Sequence, residues 1–311
     1  MNLVFFGSGA FGLPTLKALA KEHTVHAVVT QPDRRAGRGG KTTPTPIGAW
    51  AAEHLEGTPL FKPERVNEAD KREAIRAHDA DAWVVIAFGQ KLGRGLLEDR
   101  FAINLHASLL PRWRGAAPIN AAILAGDTTT GNSVITLADR MDAGLVLGQT
   151  ERVIDPMHNI GELHDLLAED GPRLVLDVLE DHGRGNLQPV EQDESLVTLA
   201  GKLAKTDGWI DFTESAEVAQ RRVHGLTPWP GVTVEHRGEP LKLLRVGLGD
   251  PFDAPPGTLD HQGHAACAGG TSVALLEVQP PGKRPMPWAD YANGRQVKAG
   301  EQLIGRSARS A

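Results

Sequence analysis

Short apolar runs, each ending in glycine, proline or small polar residues, recur through the first half of the chain and predict strands at residues 2–7 (NLVFFG), 24–30, 82–87 (AWVVIA), 101–105, 133–138 and 145–153. Between them the apolar positions change to helical spacing. Residues 13–21 place Leu16, Leu19 and Ala20 on one face, and 47–54, 68–78, 118–124 and 160–179 also read as helices. Strands alternating with helices imply a mostly parallel sheet covered on both faces, so residues 1–187 are expected to form a doubly wound, Rossmann-like α/β domain. After Gly185 the text turns polar and aperiodic, which predicts a linker at 188–207. Residues 208–311 then carry short strand patterns: 209–212, a hairpin at 232–246 around Arg237-Gly238, and 271–279. One short helix at 215–225 is started by Ser215 and closed by Gly225. A small OB-like β-barrel is the simplest packing for these pieces, and such barrels commonly bind oligonucleotides.

The first strand runs into Gly7-Ser8-Gly9-Ala10-Phe11-Gly12, formally a dinucleotide fingerprint. An NAD site also wants an acid at the end of the second strand, and this strand ends in Thr30-Gln31-Pro32. The other reading is that the glycines permit a tight strand-to-helix turn and leave the loop to line a different ligand. Residues 31–47 (QPDRRAGRGGKTTPTPI) carry Arg34, Arg35, Arg38 and Lys41 among glycines, prolines and threonines, and no regular structure is expected there. This is either a solvated surface loop or a cationic insertion that reaches phosphates.

The densest chemistry lies at 103–119, INLHASLLPRWRGAAPI, where the 101–105 strand empties into turn residues. Open α/β sheets keep their ligands at such strand ends. Asn104 and His106 are two residues apart, so on an extended chain both leave the same face. A carboxamide that donates and an imidazole that donates, accepts or carries a proton suit a carbonyl passing through a tetrahedral state. Either group is also at home as a satisfied packing residue. Asp142, in Met141-Asp142-Ala143-Gly144 at a turn between strands, is turn chemistry unless it meets His106. Ser108-Leu109-Leu110-Pro111 and Arg112-Trp113-Arg114 would suit a flat apolar ligand with a polar tail, or a loop packed back on the core.

Charge narrows this picture only a little. A net charge of -6 excludes a protein that coats nucleic acid by bulk charge, but leaves room for a local basic patch. Cys267 is the only cysteine, so no intramolecular disulfide and no thiolate metal site is expected. Neither a signal-like start nor a membrane-length apolar stretch is read, and the expectation is a cytoplasmic protein without membrane contact.

The motifs TQPDRRAGRGGK (30–41), VVIAFGQ (84–90), INLHASLLPRWRGAAPI (103–119), MDAG (141–144), QDES (192–195) and TPWPG (227–231) resemble the methionyl-tRNA formyltransferases among the folate-dependent formyltransferases, over almost the whole chain. The resemblance implies transfer of the formyl group of 10-formyltetrahydrofolate to the amine of initiator Met-tRNA, with no metal, by a protein expected to be a monomer. It implies a catalytic triad of Asn104, His106 and Asp142. It also implies a folate segment of Ser108, Leu109, Leu110 and Pro111, with Ala87, Phe88 and Gly89 at the pterin end. The loop that enters the acceptor stem would be 31–43, with Arg34, Arg35, Arg38 and Lys41 as its cations and Arg38 as the key one. Lys202 and Lys205, with Arg221, Arg222, Lys283 and Arg284, are candidates for a further basic face. Where that family usually reads Leu-Asp-Thr-Gly, this chain has Met141-Asp142-Ala143-Gly144. A formyltransferase acting on an amino sugar nucleotide or amino nucleotide shares the Asn-x-His segment, but would lack the Arg-rich loop and TPWPG.

Overall fold

In the computed structural model, which describes residues 1–36 and 40–305, a seven-stranded sheet carries the first half of the chain. Its strands follow the order Val146–Val153, Thr129–Thr136, Ala102–His106, Ala82–Ile86, Asn2–Gly7, Thr24–Val29, Leu60–Phe61. Asn2–Gly7 pairs in parallel with Thr24–Val29 on one side and with Ala82–Ile86 on the other, and Ala82–Ile86 pairs in parallel with Ala102–His106. Thr129–Thr136 then joins Ala102–His106 antiparallel. Every residue of Ala82–Ile86 is buried, as a strand covered on both faces requires, and that is why its sequence shows no apolar/polar alternation. One such layer holds Val4, Phe6, Val29, Ile75, Trp83 and Val85.

The chain leaves Asn2–Gly7 toward one edge and returns through Ala82–Ile86 on the other side. The switch point of the sheet therefore lies between these two strands. Gly7 packs there because it lacks a side chain: a Cβ would sit 2.5 Å from the Phe5 ring and 2.9 Å from the Ile86 carbonyl oxygen. The loops beyond the two strands are bonded to one another, with Ser8 Oγ donating to the Phe88 carbonyl at 3.0 Å. Gly7 and Gly12 thus serve close packing.

Residues 31–47 differ from expectation. Arg34–Ala36 and Lys41–Thr43 pair antiparallel, with Arg34 opposite Thr43 and Arg35 opposite Thr42. Arg34, Arg35, Thr42 and Thr43 are all exposed, so these positions leave no hydrophobic alternation to read. The helix Ile160–Arg184 also runs past its expected end and continues through Pro172.

The second sheet is antiparallel and barrel-like. It runs His264–Ala266, Ser272–Gln279, Glu239–Leu248, Val232–His236, Leu303–Ile304, with Met286–Pro287 added on Ser272–Gln279. The Val232–His236/Glu239–Leu248 hairpin turns at Arg237 (φ 53°) and Gly238 (φ 79°), the positive pair that a two-residue hairpin turn demands. The expected strand at 209–212 is reduced to a single bridge at Ile210. Its alternation reflects the burial of Ile210 and Phe212 in the core of this unit, not pairing. An unexpected helix, Trp288–Arg295, buries Trp288 and Tyr291, one turn apart.

Contacts cluster into two units, and the partition is not one cut along the chain. The first holds Met1–Gly115, Gly131–Arg152 and His164–Leu199; the second holds Ala116–Thr130, Val153–Leu163 and the chain from Ala200 onward. No helix among the described residues is long and apolar enough to cross a membrane.

Candidate active site

Three side chains and the loops that hold them define the site, all within the first unit. Asn104 and His106 lie on Ala102–His106, whose carboxyl end stands beside that of Ala82–Ile86 through the register Val85 to Asn104. Strand geometry sends both side chains to one face. His106 is 7% exposed. Its Nε2 lies 2.9 Å from the Trp113 carbonyl oxygen, and because a carbonyl only accepts, Nε2 must carry a hydrogen. That leaves Nδ1 as the working edge, and Nδ1 stands 3.7 Å from Asp142 Oδ2. Asn104 is half-buried, and among the described residues its carboxamide has no hydrogen-bond partner. A carboxamide in that position is a donor held in reserve for something the protein does not supply.

Asp142 reaches His106 from a tight turn. Its φ is +52°, sparsely populated for a residue with a Cβ, so the surroundings must hold it there. Four bonds do so. Gly115 N–H donates to Asp142 Oδ2 at 2.9 Å, and Gln192 Nε2 donates to the carbonyls of Asp142 and Gly144, each at 2.8 Å. On the far side Leu145 N–H donates to Thr136 Oγ1 at 2.9 Å. Gly144 lies flat on the strand, where a Cβ would come within 1.7 Å of the Thr136 carbonyl oxygen. Behind Gln192, Arg114 Nε donates to Gln192 Oε1 at 2.9 Å and Arg114 Nη2 donates to Glu194 Oε1 at 3.0 Å. Arg140 meets the same Glu194 oxygen at 2.7 Å. Hydrogen bonds from Arg114 and then Arg140 hold the Glu194 carboxyl below the usual carboxylate range.

The segment 108–111 is fixed as firmly. Ser108 Oγ donates to the Arg112 carbonyl at 2.7 Å, Ser133 Oγ donates to the Ser108 carbonyl at 2.6 Å, and Leu110 N–H donates to Ser133 Oγ at 3.0 Å. Gln149 Nε2 closes the clamp on the Leu110 carbonyl at 3.0 Å. Ser108 and Leu110 are buried, so the packed-back reading of this loop holds for their side chains, while Leu109 and Pro111 remain half-buried. Phe88 is likewise buried, edge-on to Phe6. Its neighbours Ala87 (φ 47°) and Gly89 (φ 85°) are exposed at the mouth of the switch point.

Of the cations, Arg34 and Arg35 are exposed on the short hairpin, Arg34 with Nη2 3.1 Å from Glu64. Arg38 lies outside the described residues, and Lys41 is described in its backbone only. Lys202 and Lys205 are exposed in the second unit. Lys202 lines a recess of about 340 Å³ with Asn120, Leu203, Pro228 and Trp229. Sequence reasoning gave no role to Ser133 or Gln149, saw Gln192 only as part of the QDES motif, and offered Arg114 only to a ligand's polar tail. Their side-chain contacts cross 16 to 80 positions of chain, and no local spacing announces them.

The family described as formyl transferase matches residues 1–179, and the one described as formyl transferase, C-terminal domain, matches 202–296. A methionyl-tRNA formyltransferase of Methylococcus capsulatus is 41% identical over 310 residues, covering 97% of this chain and 99% of that protein. Among solved structures, an N-formyltransferase from Helicobacter canadensis, in complex with folinic acid and dTDP-3-aminofucose, superposes with a TM-score of 0.68 at 13% identity, covering 88% of this chain and 98% of that one. HypX from Aquifex aeolicus, in complex with tetrahydrofolic acid, gives 0.64 at 16% identity and covers 96% of this chain; this chain spans 48% of HypX. At those identities the two structures speak for the fold.

Proposed function

The chain belongs to the methionyl-tRNA formyltransferase family, and on that premise we propose that Asn104, His106 and Asp142 transfer the formyl group of 10-formyltetrahydrofolate to the free amine of the methionyl group of initiator Met-tRNA. Formylation of Met-tRNA is the reaction; the donor species, the initiator preference and the residue roles are our reading. The observation that carries it is the unpartnered Asn104 carboxamide on the same strand face as an imidazole whose Nδ1 edge meets Asp142.

The folate donor supplies a formyl carbon already activated on nitrogen. As the neutral amine adds to that carbon, negative charge grows on the formyl oxygen. Asn104 Nδ2 donates to this oxygen, and His106 presents its Nδ1 edge to the same reacting centre. One such donor is worth about 3 kcal/mol in comparable sites. Asp142 orients the imidazole and takes up the amine proton, directly or through water, and that proton passes to the folate nitrogen as its bond to the formyl carbon breaks. The committed Nε2–H bond to Trp113 keeps the ring from turning as charge moves. The outward-facing Ala87, Gly89, Leu109 and Pro111 are the proposed pterin contacts.

Methionine esterified to RNA is a small target, so selectivity must be read from the RNA. Arg34, Arg35, Arg38 and Lys41 are the proposed contacts to the acceptor stem, and Lys202 and Lys205 the contacts farther along the backbone. The test supplies purified protein with 10-formyltetrahydrofolate and charged Met-tRNA, and follows N-formylmethionine by acid-gel or mass analysis. Loss of at least 100-fold of the rate in Asn104→Ala with the donor still bound supports the assignment. An unchanged rate contradicts it.

A further inference from the structure

We propose that Gln192 is a positioning residue for the reaction, its carboxamide latching the Asp142 turn at the distance from His106 that catalysis uses. The inference rests on the reading of Asp142 above and extends it to a residue fifty positions away. A primary amide has two hydrogens on nitrogen. Here both are spent on one turn, at 2.8 Å to the Asp142 carbonyl and 2.8 Å to the Gly144 carbonyl, so they span the residue whose carboxylate faces the imidazole. The amide oxygen is held by Arg114 Nε at 2.9 Å, which settles which end of the amide faces the turn. Arg114 is buried, and its other end is tied to Glu194. The latch is therefore a chain from Glu194 through Arg114 and Gln192 to the main chain of Asp142, with every contact at ordinary hydrogen-bond length.

Two features make this a control of position, beyond simple stability. Asp142 sits at φ +52°, a conformation it would leave if released. The Asp142–His106 separation of 3.7 Å is just beyond hydrogen-bond length, so a shift of a few tenths of an ångström decides whether the pair is bonded. Gly115 N–H holds the carboxylate itself, but nothing except Gln192 holds the two carbonyls of the turn among the described residues.

The experiment is a double-mutant cycle in kcat for Met-tRNA formylation, using Gln192→Met, Gln192→Glu and Asp142→Ala on the full chain. Gln192→Met keeps the length and removes all three bonds. Gln192→Glu keeps an acceptor for Arg114, so it retains the fold, yet turns lone pairs toward the two carbonyls. In the parent background both are expected to lower kcat about tenfold or more while each KM stays within about twofold. In the Asp142→Ala background the same changes are expected to cost less than about twofold, because the group they position is gone. An equal loss in both backgrounds would mark a structural role and overturn the proposal. So would a parent-like kcat for Gln192→Glu while Asp142→Ala is crippled. If Asp142→Ala itself turns over normally, the assignment of Asp142 fails and takes the latch with it, which is a different result from the other two.

Discussion

Asn104 is where a single atom group should matter most. Its carboxamide is unpartnered among the described residues, so Asn104→Ala removes a donor without breaking an internal bond. The variant should therefore fold like the parent while losing about 100-fold or more in kcat. Parent-like melting together with depressed single-turnover rate is the expected pair of results; a drop in both would mean that Asn104 is a packing residue. The pairing of Asn104 with His106 was legible in the sequence, because a two-residue spacing on a strand needs no tertiary knowledge. The meeting of His106 with Asp142 rested only on resemblance, because the thirty-five residues between them set no geometry. Ser108, Leu110 and Phe88 were read as ligand-lining from resemblance. The structure puts their side chains inside the protein, where a loop clamped by Ser133 and Gln149 leaves only its backbone and its alternate residues outward.

Elements carry the site by their ends. The turn 139–144 lies flat on Thr129–Thr136 because Gly144 has no Cβ, and an added methyl would meet the Thr136 carbonyl at 1.7 Å. Gly144→Ala is expected to push the turn away, destabilise the protein by about 1–3 kcal/mol in urea unfolding and lower kcat with it. A variant matching the parent in both would show that the turn has slack. The hairpin Arg34–Ala36/Lys41–Thr43 presents Arg35 to solvent, with Arg34, Thr42 and Thr43 exposed beside it, as suits a segment that reaches for a phosphate backbone. Arg35→Ala should raise KM for tRNA, flatten its salt dependence by about one unit of slope and leave folate affinity alone. If folate affinity falls as well, the hairpin supports the crevice. Strands with continuous apolar runs were readable in the sequence, since burial on both faces writes itself into composition. This hairpin was not, since Arg34-Arg35-Ala36 and Lys41-Thr42-Thr43 carry no apolar/polar alternation. Nor was Trp288–Arg295, whose Asn293-Gly294 reads as a turn in a window too short for periodicity to outweigh it.

At the scale of the whole molecule, the α/β plan of the first half followed from the alternation of strand and helix. Two units were expected, but that Ala116–Thr130 and Val153–Leu163 cluster with the second was not readable, because no linker composition reveals such contacts. Acid sensitivity belongs at this scale too, and two groups of the second unit set its direction. Glu301, bonded by Arg237, by the Lys298 N–H and by His236, has its carboxyl pulled down to about 2. A depressed carboxylate stabilises the fold above its ordinary range, and that stability is lost as pH falls from about 4.5 toward 2. His224 is buried, donates Nδ1–H to the Pro156 carbonyl at 2.9 Å and accepts the Val246 N–H on Nε2 at 3.2 Å, so it is built neutral. Burial lowers its pKa, and stability should begin to fall as pH drops below 6.5, where the unfolded imidazole takes a proton the folded one resists. Melting temperature followed from pH 7.5 to 3 should decline in both windows. Glu301→Gln should lose the lower one, and a parent-like decline in that variant would assign it to other carboxylates.

The decisive measurement gives the purified protein 10-formyltetrahydrofolate with charged initiator Met-tRNA and charged elongator Met-tRNA in parallel, with the His106→Ala variant alongside. Formyl transfer to the initiator, little to the elongator, and at least a 100-fold loss on removing His106 is the expected result. Transfer to an amino sugar nucleotide in preference to both tRNAs, or full activity without the imidazole, would contradict it.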